Sequence, residues 1–254
     1  MGFKCGIIGL PNVGKSSLFN ALLGLQKASS ENYPFCTIEP NIGKVPIPDT
    51  RLDKLSHINK SKNTIYGQIE FLDIAGLVKG ANTGEGLGNK FLSNIREVDA
   101  IVHVVRCFHD KNITHVYDRI DPIDDIQIIE NELILSDISR IEKNLYKLKK
   151  SIKTSKESFI KEEAVLTKAK LELEKGNISF KNNLNEEDLN ILENTGLLSI
   201  KPSLYVSNVN EDAIELGNEL SSCVDNLALK KNSKSIKIST KIEEELSSFK
   251  NKEE

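Results

Sequence analysis

Lys4-Cys5-Gly6-Ile7-Ile8-Gly9-Leu10-Pro11-Asn12-Val13-Gly14-Lys15-Ser16-Ser17-Leu18-Phe19-Asn20-Ala21 is the stretch whose reading decides the fold. Cys5 to Ile8 is a short apolar run that reads as a buried strand. It breaks into Gly9 to Ser16, which fits G-x-x-x-x-G-K-[ST]. A helical pattern follows at once, with Leu18, Ala21, Leu22 and Leu25 at three- and four-residue spacing. Strand, glycine loop and helix together are the context in which this motif carries meaning.

The spacing has a chemical reason. Consecutive backbone N–H groups of a tight loop, next to the positive end of a helix, enclose the oxygens of a diphosphate. Gly9 and Gly14 permit angles and approaches that a Cβ would forbid. Lys15 is placed to reach the β- and γ-phosphates, and the Ser16 hydroxyl to ligate Mg²⁺. The expected phosphate-binding set is Asn12, Val13, Gly14, Lys15, Ser16 and Ser17. The bland alternative, a chance match in a glycine turn, does not account for two correct flanks. The motif implies binding of a nucleoside triphosphate.

Working outward, 254 residues suffice for a full α/β core with a remainder for a smaller unit. A net charge of −3 excludes a polycation that binds nucleic acid with its whole body, though local basic faces remain open. The four cysteines, Cys5, Cys36, Cys107 and Cys223, form no C-x-x-C pair. Cys5 and Cys107 lie in apolar runs and read as buried thiols. No signal peptide and no span of about 18 apolar residues is present, so the chain reads as soluble and cytoplasmic, with no membrane partner.

Asn32 to Asn41 is rich in Pro, polar groups and aromatics, which marks a loop. Downstream of a P-loop, a Thr in such a loop closes over Mg²⁺, and Thr37 is the candidate; without the P-loop this is an ordinary connection. Gln68 to Asp73 reads as a strand running into Asp73-Ile74-Ala75-Gly76, a D-x-x-G. At a strand end after a P-loop, that Asp is the usual Mg²⁺ partner and the Gly N–H meets the γ-phosphate. Lys79 to Gly88 holds four glycines in ten residues, as suits a segment ordered by ligand. Leu77 stands where Ras-like GTPases carry the water-orienting Gln, so that role falls elsewhere. Ala100 to Val105 is a further buried strand. Two histidines, His109 and His115, follow in a polar stretch where a histidine is ordinarily solvated.

From Ile126 the pattern changes. Ile134, Ile138, Ile141, Leu145, Leu148 and Ile152 alternate steps of four and three, a coiled-coil seam. A second helical run from about Phe159 to Lys175 keeps a looser seam through Leu166, Ala169 and Leu173, with a hairpin tip near Thr154-Ser155. The expectation is an antiparallel helical arm, too long for an ordinary crossover. Lys143, Lys147, Lys149, Lys150 and Lys153 make its distal half basic, which is either a solvated face or a surface for RNA or protein. Asn185 to Asn194 reads as a short helix stopped at Gly196. The expected division is a nucleotide-binding domain over 1–125 and 201–254 with an inserted helical domain over 126–200.

Pro202 to Asn208 reads as a strand ending in Asn208-Val209-Asn210-Glu211, where a GTPase carries N-K-x-D. Val209 replaces the Lys whose stem covers the base, and Glu211 the Asp that reads guanine. A carboxylate one methylene further out cannot make the same paired contact, so guanine preference should fall. Lys237 to Thr240 reads as the last strand and a base-side loop containing Ser239, with Ile242 to Phe249 as the closing helix.

Taken together, the P-loop, Asn32 to Asn41, Asp73 to Gly80, Gly84 to Leu92, Val104 to Phe108 and Asn208 to Glu211 resemble the YchF-type branch of the Obg-related P-loop NTPase family. The resemblance covers the nucleotide domain, and the arm matches in position and type. It implies an α/β Ras-like domain, mostly a parallel sheet with helices on both faces, carrying an inserted coiled-coil arm. It also implies Mg²⁺-dependent ATP hydrolysis in preference to GTP, binding to the ribosome (large subunit or 70S particle), and a monomer. In that family a loop histidine stands in for the missing Gln, which here falls on His115; Lys15 and Gly76 complete the catalytic set. The metal set is Ser16, Thr37 and Asp73, and the base set Asn208, Val209, Glu211 and Ser239. Family members ordinarily continue into a TGS domain, whereas this sequence stops at Glu254, so it is expected to end before that domain. Two rival readings remain at this point, an Obg-like GTPase and a slowly hydrolysing ribosome- or RNA-binding module whose basic arm matters more than its turnover.

Overall fold

The structure is a computed structural model that describes residues 2–30, 42–74, 87–110, 112, 113, 115, 117, 119–151 and 157–248. In chain order it comprises β1 (Phe3–Ile8), α1 (Lys15–Ser30), β2 (Ile42–Pro46), α2 (Thr50–Asn59), β3 (Gln68–Asp73), α3 (Leu87–Arg96) and β4 (Ala100–Arg106). The arm helices α4 (Pro122–Ser151) and α5 (Glu157–Glu174) follow, then α6 (Glu186–Thr195). The chain closes with β5 (Ser203–Asn208), α7 (Glu219–Lys230), β6 (Lys234–Ile238) and α8 (Thr240–Ser248). Short 3-10 turns at Ile178–Asn183 and Glu211–Ala213 connect them.

Among the described residues, six strands form one sheet in the order β2-β3-β1-β4-β5-β6. Only the β2–β3 pair is antiparallel; β1 pairs in parallel with β3 and with β4, and β5 with β4 and β6. Because side chains alternate across a strand, β4 feeds two cores. Val104 joins Ile7, Leu10, Phe19, Phe91 and Ile95 on one face. Val105 joins Cys107, Ile126, Tyr205, Val224 and Ala228 on the other. Both faces are thus covered, which is why the parallel strands read as continuous apolar runs.

The arm has a core of its own. Ile134, Ile141 and Leu148 of α4 pack with Leu166, Ala169 and Leu173 of α5 and with Leu192 of α6, while Ile138 and Leu145 flank them. These are the seam residues of the heptad pattern; Ile152, Lys153 and the tip at Thr154-Ser155 lie outside the described residues. Helix α4 starts at Pro122, four residues before Ile126, where the sequence pattern changes. Asp121 accepts the N–H groups of Ile123 and Asp124 at 3.1 Å, a cap that the seam alone does not reveal. At the root of the arm the fully buried Asp137 accepts the N–H groups of Leu198 and Ser199 and the Ser199 hydroxyl, fixing the point where the chain returns to the sheet.

Four elements were absent from the sequence reading: β2, α2, α7 and α3. The first two form a hairpin excursion at the sheet edge, and α2 buries none of its residues. The third is capped by Asn218 and Ser221, which exchange side-chain and backbone bonds, and it buries Val224 and Ala228.

Candidate functional site

The loops after β1, β4, β5 and β6 all leave the same edge of the sheet, the carboxyl edge of the parallel strands. Strand β1 lies between β3 and β4, so the chain departs to opposite sides of it, and this switch point is where open α/β sheets bind ligands. A cavity of about 780 Å³ opens there, within the size range of nucleotide sites.

At one end is the loop between β1 and α1. Gly9 and Gly14 have φ of 154° and 99°, and Asn12 has φ of 61°. A Cβ on Gly9 would collide with the Val104 carbonyl, and one on Gly14 with Asn208 Nδ2 and Thr240 Oγ1. The loop delivers the chain into the N-terminus of α1, whose first turn holds no acidic residue. Helix dipole and N–H groups therefore face the cavity with no acidic side chain from the helix's own first turn beside them. Lys15 is only 8 % exposed and donates from Nζ to the Leu10 carbonyl at 2.7 Å. Burial lowers its pKa to about 8, against the opposing pull of Asp73. Ser16 Oγ donates to Asp73 Oδ2 at 3.4 Å, bringing hydroxyl and carboxylate together at the end of β3.

At the other end, Asn208 ties the strand ends together. Its Nδ2 donates to the Val13 carbonyl at 2.9 Å, and its Oδ1 accepts the Thr240 N–H at 3.1 Å. Val209 borders the cavity yet is 2 % exposed, packed with Val105, Cys107 and Ala213. Glu211 is on the exposed lip and accepts from Lys241 Nζ at 2.9 Å. Ser239 is buried in the wall beside Thr240.

Of the residues expected from the sequence, Asn12, Gly14, Lys15, Ser16, Ser17, Asn208, Val209, Glu211 and Ser239 line this one cavity. Val13 contributes its carbonyl to the Asn208 brace from a buried position. Asp73 adjoins through Ser16. Thr37 and Gly76 lie outside the described residues. His115 is not brought to the cavity: its Nε2 meets Asp125 Oδ2 at 2.9 Å in a buried pair.

The remaining wall was missed by sequence reasoning. It consists of Phe108, Asp110 and Ile113, in the connection after β4, together with Asp212, Lys241 and Glu244. Arg106, 1 % exposed, holds that connection in place. Its guanidinium donates to the carbonyls of Phe108 (3.3 Å), Asp110 (3.1 Å) and Ile113 (2.9 Å) and stacks over the Phe108 ring. A buried cation needs such acceptors to offset its desolvation. The available signal was an arginine closing an apolar strand at the ligand edge of the sheet.

A family model described as 50S ribosome-binding GTPase matches residues 4–168. The Ribosome-binding ATPase YchF of Haemophilus influenzae is 47% identical over 255 residues, an alignment that covers 100% of this chain and 69% of that protein. Its Bacillus subtilis counterpart is 46% identical with the same coverage. The Escherichia coli O157:H7 protein of that name is 50% identical over 217 residues, 85% of this chain and 59% of its own length. The chain therefore spans between 59% and 69% of the length of these relatives. A solved structure described as the Schizosaccharomyces pombe YchF GTPase superposes with a TM-score of 0.85 at 35% identity, over 99% of this chain and 69% of that one.

Proposed function

Because the chain belongs to the YchF family of P-loop NTPases, we propose that it binds and hydrolyses ATP in preference to GTP. The observation that carries the base preference is the state of Glu211. It stands where a guanine-reading Asp would be, but its carboxylate is on the lip, paired with Lys241. Position 209 supplies no lysine stem to cover the base either, since Val209 is packed into the core. A guanine would leave its N1–H and 2-amino group without that partner, whereas adenine has no 2-amino group to satisfy. Titrating ATP and GTP against the purified protein tests this directly; tighter GTP binding returns the reading to an Obg-like GTPase.

On the phosphate side, Lys15 exchanges the Leu10 carbonyl for phosphate oxygens, and the loop amides and the α1 N-terminus complete the cradle. The hydroxyl and carboxylate that meet at Ser16 and Asp73 are hard oxygen donors, which suit Mg²⁺. Those two would hold the ion, with Thr37 as a third ligand. When bound, it neutralises charge on the β- and γ-phosphates. Gly76 receives the γ-phosphate and His115 assists the attacking water. The nucleotide-binding part comprises 1–125 and 201–254, and 126–200 is an inserted helical domain.

We further propose the ribosome as partner, in the cytoplasm, with the chain acting as a monomer. The relatives' names support the first point, and so does the basic distal arm, on which Lys143, Lys147, Lys149 and Lys150 are exposed. Among the described residues no helix is long and apolar enough to cross a membrane. Co-sedimentation with ribosomes, with and without ATP, tests the association.

A further inference from the structure

The side chains of His115 and Asp125 are 3% and 4% exposed, and Nε2 lies 2.9 Å from Oδ2. The other ring nitrogen, Nδ1, accepts the Tyr117 N–H at 3.2 Å. A nitrogen that accepts an N–H bears no proton, so the neutral ring keeps its proton on Nε2 and donates it to Asp125. Both nitrogens are thereby engaged, and neither is left for a water.

Neither residue borders the nucleotide cavity, although Ile113 does. Arg106 pins the chain at the carbonyls of Phe108, Asp110 and Ile113. Two residues span at most about 7 Å, so the ring is tethered close to the cavity without entering it. Asp125 lies in the first turn of α4, and its Oδ1 is buried with no hydrogen-bond partner among the described residues. The imidazole N–H is therefore the main bond offsetting the desolvation of this carboxylate, which gives the contact a strong hold.

We propose that Asp125 is a positioning residue that clasps His115 in a resting orientation. Hydrolysis then draws on the fraction of molecules in which the ring has left Asp125. This rests on the reading of His115 as the residue that assists the water. It goes further in assigning the buried carboxylate at the arm root a restraining role, opposite to that of a carboxylate that orients a catalytic histidine.

The test compares wild type with Asp125→Asn, Asp125→Ala, His115→Ala and the double variant His115→Ala/Asp125→Ala, measuring ATP turnover and ATP affinity separately. Imidazole ¹⁵N spectra report the tautomer. The expected result for Asp125→Ala is a rise in kcat of about tenfold at unchanged ATP Kd. Asp125→Asn, which keeps a neutral acceptor of the same shape, should give a smaller rise, and it decides the matter if the alanine variant does not fold. The double variant should be as slow as His115→Ala. Wild type should show the Nε2–H tautomer and Asp125→Ala a mixture. A fall or no change in kcat for the Asp125 variants, with His115→Ala slow, overturns the clasp and leaves the His115 reading standing. Wild-type turnover by His115→Ala instead sinks that reading, and the clasp's effect on hydrolysis with it.

Discussion

Asn208 Nδ2 donates to the carbonyl of Val13 across a sequence separation of 195, at 2.9 Å. Through its Oδ1 the same side chain also holds the Thr240 N–H, so one amide joins the phosphate loop to the loop after β6. Gly14 packs against that amide so closely that a Cβ has no room. The two ends of the cavity are therefore one mechanical unit. Asn208→Ala should cost about 1–3 kcal/mol of stability, because a buried carbonyl and N–H lose their partner. It should also weaken ATP and GTP alike, since the brace touches the frame and not the base. Chemical denaturation and paired nucleotide titrations check this; a loss confined to one nucleotide would mean that Asn208 reads the base.

Lys15 makes a pH-dependent contribution whose sign follows from its burial. Desolvation brings its pKa from 10.5 to about 8. Below about pH 8 the lysine is charged in both folded and unfolded chains, and the folded state bears the full penalty. Between 8 and 10.5 the unfolded chain holds more protons, so this part of the stability rises with pH. Relative to wild type, Lys15→Met should be more stable at pH 7 by up to roughly 3 kcal/mol. That advantage should vanish by about pH 10.5, while tight triphosphate binding is lost throughout. Denaturation curves of both proteins at pH 7 and 10 measure the gap; a gap independent of pH would show that the lysine is solvated.

What could be read in the sequence was whatever fixes residue type by chemistry or periodicity. The P-loop is legible because only Gly tolerates the angles at Gly9 and Gly14, and the arm because Ile134 to Leu148 keeps a heptad rhythm. Strand β2 was not legible: Ile-Gly-Lys-Val-Pro contains two residues that strands disfavour, and it forms by antiparallel pairing with β3 at the sheet edge. Helix α2 has no buried face to create a period; the Asp49 cap and the left-handed Lys60 end it instead. The cavity wall at Phe108, Asp110 and Ile113 is set by carbonyls that accept from Arg106, and backbone acceptors leave no trace in residue type.

The arm's basic face can be tested by salt. Lys147, Lys149 and Lys150 are exposed near the distal end of α4, and Lys150 lies over the Tyr146 ring. Reversing all three to Glu should weaken binding to ribosomes or RNA. If each contacts one phosphate, the slope of log K against log salt should flatten by about 2–3, through the counterions no longer released. Hydrolysis by the isolated protein should not change. An unaltered slope would make these lysines a solvated face.

Base choice can be moved only where the structure has room. A lysine at Val209, to rebuild the stem that covers guanine, would have to leave a site 2 % exposed among Val105, Cys107 and Ala213. Val209→Lys should therefore destabilise the fold by several kcal/mol, as an unpaired charge placed in an apolar cluster does, and it is a poor test of specificity. Glu211→Asp is a better one. It shortens the carboxylate, draws it off Lys241 on the lip and brings it back toward the base edge. A charge-assisted bond to guanine is worth about 1.5–3 kcal/mol, or roughly tenfold to a hundredfold in relative affinity. Glu211→Asp should shift the ATP/GTP dissociation-constant ratio toward GTP by part of that range, and Lys241→Ala should enlarge the shift by freeing the carboxylate. The ratio measured for wild type, Glu211→Asp and Glu211→Asp/Lys241→Ala decides the matter. If neither variant moves it, the base is read by the opposite wall at Phe108 and Ile113, and the lip carboxylate serves only its ion pair.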